Sequence, residues 1–371
     1  LGWGESYHDF WHTEIELAVG SWHLPHMSVG HFVNDALMAL FFFVVGLEIK
    51  RELVTGDLSS PRAAALPAIG ALGGMVVPAL LYFALNTSGE AARGWGIPMA
   101  TDIAFAVGIV ALLGSRVSPK IKLFLLTLAI VDDIGAIAVI AIFYTSDLSV
   151  KWLVTAILGL VTVWILQRAR VWAIPVYAVL GVFIWYATLE SGVHATIAGV
   201  ALGLLTPARP LLGKRDAQQI VDALPSDATV DEVRHASFLA QESVPLTVRL
   251  ENLLHPFTAF IIIPIFALAN AGIELSGETI SEAASSNVTL GIILGLVVGK
   301  PLGIGVFTWI ATRFGFGLPE GVNWPQFLGM ALAAGIGFTV SIFVGGLAFE
   351  SQAVSEMAKI GILAASLLAA I

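Results

Sequence analysis

The sequence has no cysteine in its 371 residues. Without a thiol the chain can form no disulfide, no thioether link to haem and no thiolate metal site. Charged residues are also scarce, because Asp, Glu, Lys and Arg make up 12% of the chain against about 25% in soluble proteins. So few charges cannot cover the water-exposed surface of a folded chain of this length, and the composition argues against a soluble protein.

Basic residues are the scarcer of the two charge types. The chain has 18 Lys and Arg against 27 Asp and Glu, which gives a formal net charge of -9. Nothing forms a basic stripe, so no nucleic-acid partner is expected. Hydrophobic residues make up 57% of the chain and the mean hydropathy is +0.88, so the surplus apolar surface must face lipid. The composition predicts an integral membrane protein, and the long apolar runs predict that it is all-α.

Long apolar runs, separated by polar, Pro and Gly clusters, predict eleven membrane spans. A transmembrane helix needs about 20 apolar residues, so a chain of this length has room for them all. The predicted spans begin near His31, Ala64, Trp95, Ile121, Val150, Val171, Glu190, His255, Val288, Phe327 and Val354. The long connection 206–254 is too short for a core of its own and carries one amphipathic helix around residues 231–242.

Lys and Arg are unevenly divided between the predicted connections. Fourteen of the 18 fall in every second connection, and the positive-inside rule places those connections in the cytoplasm. On this basis the loop 206–254, with five basic residues, is cytoplasmic, whereas residues 1–30, which lack Lys and Arg, lie outside. The chain begins with Leu rather than Met, so we expect a preceding span to be missing from its start.

The outer segment contains a pattern that is compatible with a β-hairpin. Apolar residues alternate with others over residues 14–19, and Gly20-Ser21 can turn the chain. A loop with chance alternation fits the pattern equally well. An isolated two-stranded hairpin is marginally stable in water, so a hairpin here would lean on, or pair with, a second copy of itself.

Ionisable residues within membrane spans are costly and therefore mark functional sites, and four stand out in the predicted spans: Asp102, Asp132, Asp133 and Lys300. The adjacent acids lie in mid-span, where their repulsion and loss of hydration suit them to hold protons or a hard cation. The alternative is a salt-bridged pair that only fixes packing. Lys300 is the natural counter-charge, and it either exchanges a proton or remains a fixed counter-ion.

Two spans carry helix-breaking residues near their middle. Pro98 should interrupt the span that contains Asp102, and Gly335 and Gly337 should weaken a late span. One interrupted span in each half of a chain is typical of inverted-repeat transporters with a binding site at the membrane midplane.

The ends of the resulting half-helices carry partial charges. Asp102 and Lys300 are suited to offset those charges, while Asp132 and Asp133 carry out the ion chemistry. The hydroxyls of Thr101 or Thr339 could complete an oxygen shell around Na+ together with unwound backbone carbonyls.

A second group of charges lies at the cytoplasmic end of the first span. Glu48, Arg51 and Glu52 cluster there, and charge patterning alone favours a solvated interface. Glu251 and His255 lie where the long loop returns to the membrane.

Five separated motifs occur in a characteristic order, at residues 34–52, 99–106, 128–136, 299–303 and 335–342. Together they resemble the bacterial NhaA family of sodium/proton antiporters over nearly the whole chain. The resemblance implies a twelve-helix fold of inverted repeats with two crossing broken helices, from which this chain would lack most or all of the first helix. It also implies a homodimer that forms through the N-terminal hairpin.

The resemblance divides the transmembrane part, residues 31–371, into two parts. An interface part would comprise about residues 31–60 and 150–273, and a core part about residues 64–143 and 288–371.

The function that the resemblance implies is electrogenic exchange of Na+ or Li+ for H+ across the bacterial inner membrane, by a transporter that is not an enzyme and needs no cofactor. In the family pattern Asp133 is the principal cation ligand. Asp132 joins it and pairs with Lys300, with Thr101 nearby, and Asp102 and Lys300 flank the crossing breaks.

The cluster Glu48, Arg51, Glu52, Glu251 and His255 matches positions implicated in the family's pH activation, which implies a role in pH homeostasis. Asn252 and the long loop 206–254 depart from the usual pattern and leave the pH profile open.

Other function classes are compatible with parts of the pattern. A sodium-coupled organic-anion symporter could share a crossed-helix architecture. An intramembrane aspartyl protease needs two carboxylates that face each other, for which Asp132 and Asp102 would be candidates, although no Gly-x-Gly-Asp run is present. A light-driven pump would use Lys300 as its retinal base, and eleven spans with two breaks argue against it.

Overall fold

The computed structural model describes residues 4–15, 18–19, 22–23, 27–145, 147–169, 171, 173–210, 212–222, 224–225, 228–273 and 276–371. The described part is mostly helical. Its first helices are α1 (Gly4–His12), α2 (Val29–Val54), α3 (Pro61–Leu85), α4 (Ile103–Leu112), α5 (Pro119–Phe143), α6 (Val150–Arg168), α7 (Ile174–Glu190) and α8 (Thr196–Leu205).

The second half of the chain continues in the same way. Its helices are α9 (Lys214–Asp222), α10 (Val230–Gln241), α11 (Leu246–Asn270), α12 (Gly277–Ser285), α13 (Asn287–Arg313), α14 (Trp324–Ala333), α15 (Phe338–Ala348) and α16 (Gln352–Ala370). The 3-10 helices are Asp57–Ser59, Glu90–Met99 and Gly114–Arg116. Helices α2, α11 and α13 contain the π-helical turns Val33–Leu37, Thr258–Ile262 and Leu294–Gly299.

The predicted spans correspond to apolar helices in the structure. Within the described residues, seven helices are long and apolar enough to cross a membrane, namely α2, α3, α5, α6, α11, α13 and α16. Two bent pairs, the 3-10 helix Glu90–Met99 with α4 and α14 with α15, raise this number to nine if each pair is one span. The remaining two predicted spans correspond to α7 and α8, which are apolar but shorter.

Two spans begin at residues that differ from those predicted from the apolar runs. The span expected near Glu190 begins at Thr196, because α7 extends to Glu190. The span expected near His255 begins earlier, at Leu246, because the helix continues through a polar first part that a search for apolar runs overlooks.

The loop helix predicted around residues 231–242 is α10, Val230–Gln241. A capping box explains its start: Thr229 Oγ1 accepts from the N–H of Glu232 at 3.3 Å, and Glu232 Oε2 accepts from the N–H of Thr229 at 2.7 Å. These hydrogen bonds from Thr229 lower the pKa of the Glu232 carboxyl, which is solvent-exposed.

Short strands near the N-terminus form two antiparallel pairs. Strand β1 (Glu14–Ile15) pairs with β4 (Met27–Ser28), and β2 (Ala18–Val19) pairs with β3 (Trp22–His23). The pairing of β2 with β3 confirms the predicted hairpin. Its turn at residues 20–21 lies outside the described residues.

The chain divides into two compact units, of which the first comprises residues 1–34, 60–146 and 265–371. Its core includes Phe124 and Phe327, whose rings meet edge to face with 5.3 Å between centroids. Helices α3 and α13 approach at glycines, since a Cβ at Gly303 would lie less than 3.0 Å from the carbonyl oxygen of Gly73. Such close backbone contact requires small residues on both helices.

We expect Gly303→Ala to lower the free energy of unfolding by about 1 to 3 kcal/mol, because the added methyl group would overlap the backbone of Gly73. Unfolding in detergent, followed by circular dichroism, measures this loss. Gly329→Ala on α14 is the matched control, since a Cβ there meets no atom of the described residues within 4 Å. Equal stability of the two variants would contradict the packing at Gly303.

The second unit comprises residues 35–59 and 147–264. Within it, α2 and α8 approach at small residues, because a Cβ at Gly203 would overlap the backbone of Gly46, and one at Gly199 would overlap the carbonyl of Ala39. Buried Val163 and Ile184 belong to a small apolar cluster between α6, α7 and α8.

Candidate functional site

The first bent pair changes direction at residues 100–102. The 3-10 helix Glu90–Met99 and α4 meet at an angle of 43°. Ala100 is extended, with φ -75° and ψ 145°, so the helix ends at Met99, one residue after Pro98. Asp102 then starts α4 as its N-cap residue, because Oδ1 accepts from the N–H of Phe105 at 3.1 Å.

The second bent pair changes direction at residues 334–337, where α14 and α15 meet at 47°. This stretch includes both predicted glycines. A Cβ at Gly335 would lie less than 3.0 Å from the carbonyl oxygen of Leu296, so that only glycine fits there. Gly337 is the N-cap residue of α15 and supplies no side-chain cap.

The two breaks contact one another through backbone and hydroxyl groups. The N–H of Asp102 donates to the carbonyl of Ile336 at 2.7 Å, and Thr101 Oγ1 lies 3.0 Å from the carbonyl oxygen of Ala334. In return, Asp102 Oδ2 accepts from the N–H of Thr339 at 3.0 Å and from its hydroxyl. Each break therefore satisfies polar groups that the other leaves free.

Asp132, Lys300 and Thr101 meet beside these breaks. Lys300 Nζ lies 2.9 Å from Asp132 Oδ2, and both side chains are fully buried. The hydroxyl of Thr101 donates to the same oxygen at 2.7 Å. The ammonium group also donates to the carbonyl of Met99, at the end of the 3-10 helix, where a positive charge is favourable. The pairing of Asp132 with Lys300 is thus present in the geometry.

The other oxygen of Asp132, Oδ1, differs from Oδ2 in its surroundings. Asp132 Oδ1 is buried and unpartnered in the described part of the chain. A buried carboxylate oxygen without a donor is costly, so this atom is a ready acceptor for a cation or a proton. The opposite oxygen is already used by Lys300 and Thr101, which leaves Oδ1 as the open position of the carboxylate.

Asp133 lies next to Asp132 on α5 and is also buried, with 6% of its surface exposed. Neighbouring side chains on a helix point about 100° apart, so the two carboxylates do not face each other. Asp133 lies within electrostatic range of Lys300. No cluster of three or more His, Asp or Glu side chains suited to a resident metal ion occurs among the residues that the structure describes.

Two serines that sequence reasoning missed support the breaks. Ser341 Oγ donates to the carbonyl of Ile97 at 2.9 Å, and Ser366 Oγ accepts from the N–H of Phe338 at 3.2 Å. Both serines are buried. Ser366 lies on α16 and caps the start of α15, which has no side-chain cap of its own.

Ser366→Ala should lower the free energy of unfolding by about 1 to 2 kcal/mol, because the N–H of Phe338 would lose its acceptor. Ser366→Thr keeps a hydroxyl and should retain most of the stability. Thermal unfolding in detergent provides the comparison, with Ser355→Ala as the same change elsewhere on α16. If Ser355→Ala cost as much as Ser366→Ala, the capping role would be refuted.

The predicted cytoplasmic cluster lies within the second unit. Arg51 forms ion pairs with Glu251 and, at 3.4 Å, with Glu52. Glu48 lies one turn earlier on α2, within electrostatic range of these three residues. The structure thus brings four of the five predicted residues together, whereas His255 lies one turn beyond Glu251 on α11 and is exposed.

A buried acid–base pair beside two bent spans, in a chain of apolar helices, is the arrangement of a secondary transporter. The sequence model of the family described as Na+/H+ antiporter 1 matches residues 1–371. The chain belongs to this family, which confirms the resemblance found in the motifs. Because the members are transporters, the prediction of a protein that is not an enzyme is confirmed as well.

Several curated relatives have sequences similar to that of this chain over its whole length. The Na(+)/H(+) antiporter NhaA 3 of Frankia alni is 48% identical over 372 residues, which cover 100% of this chain and 80% of that protein. The Na(+)/H(+) antiporter NhaA of Rhodopirellula baltica is 46% identical and covers 100% of this chain, with 85% of its own length aligned. The NhaA antiporter of Salmonella typhimurium is 46% identical, with coverages of 100% and 87%.

Proposed function

We propose that this protein exchanges Na+ or Li+ for H+ across the bacterial inner membrane. The observation that carries the proposal is the buried Asp132 carboxylate, one oxygen of which is held by Lys300 and Thr101 while Oδ1 is open. Three relatives that align with the whole chain bear the name of Na+/H+ antiporters.

The cation site in this proposal is built from oxygen atoms. Na+ is a hard cation and prefers carboxylate, hydroxyl and carbonyl oxygens. Asp133 is its principal ligand, Asp132 contributes Oδ1, and Thr101 lies within reach. With both acids ionised and Lys300 protonated the site carries one net negative charge, which a bound Na+ or a bound proton neutralises equally well. Competition for this charge couples the two ions.

Alternating access completes the cycle. With the site open to the cytoplasm Na+ displaces protons, and with the site open to the outside protons displace Na+. The exchange is electrogenic when Lys300 gives up its proton as Na+ enters, because the site then returns with a different charge. Each net charge moved across 100 mV corresponds to about 2.3 kcal/mol.

The breaks and the units have separate roles in this proposal. The bent spans cross near the site as two broken helices, with Asp102 and Lys300 offsetting the charges of the half-helix ends. The first unit is the transporting core and the second the interface part. The hairpin at residues 14–24 lies outside the cytoplasm and joins two copies of the chain.

A pH-dependent control of transport is part of the same proposal. Glu48, Arg51, Glu52 and Glu251 form a compact group of charges, and His255 lies one turn away, on the cytoplasmic side with the loop 206–254. Protonation within such a group changes its ion pairs and so biases the conformation of the helices that carry it.

The test uses purified protein in lipid vesicles that hold a proton gradient. Addition of Na+ or Li+ should collapse the gradient, measured with a pH-sensitive dye at several pH values. Repeating the measurement with the membrane potential clamped by K+ and valinomycin separates electrogenic from electroneutral exchange. Vesicles that take up a labelled organic anion with Na+ and move no protons would instead favour a symporter.

The protease alternative has little support in the contacts. Asp102 binds Phe105 and Thr339 with its two oxygens, and Asp132 binds Lys300 and Thr101. The two carboxylates therefore have separate partners, whereas an aspartyl protease requires them to share one site.

A further inference from the structure

Glu90 makes an unusual pair of contacts at the start of the first bent span. It is the first residue of the 3-10 helix and follows Gly89, whose positive φ of 68° turns the chain sharply. Glu90 Oε1 accepts from two successive backbone N–H groups, at 2.6 Å from Glu350 and 2.8 Å from Ser351. Hydrogen bonds to an ionised acceptor are stronger than those between neutral groups.

The two N–H groups belong to the turn that joins α15 to α16. Ser351 is the N-cap residue of α16, but its own side chain makes no capping hydrogen bond. The Glu90 carboxylate accepts from the N–H of this N-cap residue and of the residue before it, and so brings a negative charge to the positive end of the helix. A side chain of the first bent span thus holds the start of the helix that follows the second.

The two bent spans are consequently joined at two separate places. One place is the pair of breaks, where the Asp102 N–H donates to Ile336 at 2.7 Å. The other lies at the opposite end of the 3-10 helix, at Glu90. The helix between them is held at both ends, and Thr101, whose hydroxyl donates to Asp132, is the second residue after it.

We propose that Glu90 is a positioning residue of the cation site, which fixes the 3-10 helix to the α15–α16 turn and so keeps the Thr101 hydroxyl aligned with Asp132. The inference rests on the proposed function. Arg93 and Glu350 join the same elements through an ion pair at 3.2 Å, but both side chains are exposed, and such pairs contribute little. Arg93→Ala is therefore the matched control.

The experiment measures the Na+ dependence of proton exchange in vesicles for variants at Glu90 and Arg93. Glu90→Ala should raise KM for Na+ about tenfold and change the maximal rate by less than about twofold, because it loosens Thr101 without removing a ligand. Glu90→Gln keeps an oxygen that accepts both N–H groups and should stay within about threefold of the parent KM. Arg93→Ala should leave KM unchanged.

Glu90→Asp separates the effect of side-chain length from the effect of charge. It keeps the carboxylate but withdraws it by one methylene group, so we expect a KM close to that of Glu90→Ala. The proposal is overturned if KM depends on charge instead, so that Glu90→Asp has a KM near that of the parent and Glu90→Gln has a KM near that of Glu90→Ala. An unchanged KM in Glu90→Ala, or an equal rise in Arg93→Ala, also overturns it. If Glu90→Ala does not fold, the comparison of Asp with Gln decides the same question.

Asp133→Asn in the same vesicles reports on the proposed function alone. If this variant still exchanges Na+ for protons, the cation site is wrong whatever the Glu90 variants do. If it is inactive while Glu90→Ala keeps the parent KM, only the role of Glu90 is refuted.

Discussion

Asp133→Asn should abolish the Na+-induced collapse of a proton gradient in reconstituted vesicles. The amide cannot carry the charge for which Na+ and protons compete, so the exchange loses its shared ligand. Asp133 is buried beside Asp132 and lies within electrostatic range of Lys300. The measurement is the recovery of a pH-sensitive dye after addition of Na+, at a saturating concentration and at several pH values.

A matched control distinguishes loss of the cation site from the general effect of removing one carboxylate charge. Asp222→Asn makes the same chemical change on the exposed side of α9 and should exchange at the parent rate. Both variants must elute as folded protein from a sizing column. Dye recovery in Asp133→Asn vesicles at even a tenth of the parent rate, as an approximate threshold, would mean that Na+ binds elsewhere.

Lys300→Met should lower the free energy of unfolding by about 3 to 5 kcal/mol, because it leaves the Asp132 carboxylate buried without its counter-charge. The double variant Asp132→Asn with Lys300→Met removes both charges and should recover much of this loss. Unfolding in detergent at constant pH gives the four free energies of a double-mutant cycle, and we expect a coupling well above that of a surface pair.

Lys359→Met provides the control for this second prediction. Lys359 lies within α16, another helix long enough to span a membrane, and it is only partly buried. The same loss of an amine there should change stability by less than about 1 kcal/mol. A cycle in which the two single variants simply add would show that the ion pair at the site contributes no specific stability.

The charged residues of the site could be found from sequence because burial of a charge is costly. Asp102, Asp132, Asp133 and Lys300 stand out in apolar runs by residue type alone. The groups that these side chains contact cannot be found in the same way. Lys300 binds the carbonyl of Met99, and a backbone carbonyl has no residue-specific signature. The contact could therefore be identified only from the folded chain.

Small polar and apolar residues were harder to interpret. Burying a serine in a membrane helix costs little free energy, and many serines in such helices have no specific role. Residue type alone therefore does not distinguish Ser341 and Ser366. The contact of Glu90 with Ser351 joins residues that are 261 positions apart and uses a backbone donor. Gly73 and Gly303 are also far apart in the sequence, and a glycine in a span can mark either a break or a close contact between helices.

The limits of the spans were predictable where apolar runs and helices end together. The prediction from apolar runs is wrong at α11, because this helix begins at Leu246 although Arg249 and Glu251 make its first turns polar. Backbone hydrogen bonding continues a helix through polar residues once its apolar part is fixed, so hydropathy marks the apolar part and not the whole helix.

The glycine contact between α3 and α13 has a mechanical consequence for Lys300. The backbones meet at Gly73 and Gly303, one turn after Lys300, so this part of α13 cannot slide or rotate without steric overlap. Displacement of the ammonium group relative to α3 must then come from rotations about the bonds of the side chain, whose aliphatic part lies beside Gly74. Lys300 is thus a tethered charge, and its excursion is limited by the length of its own flexible stem.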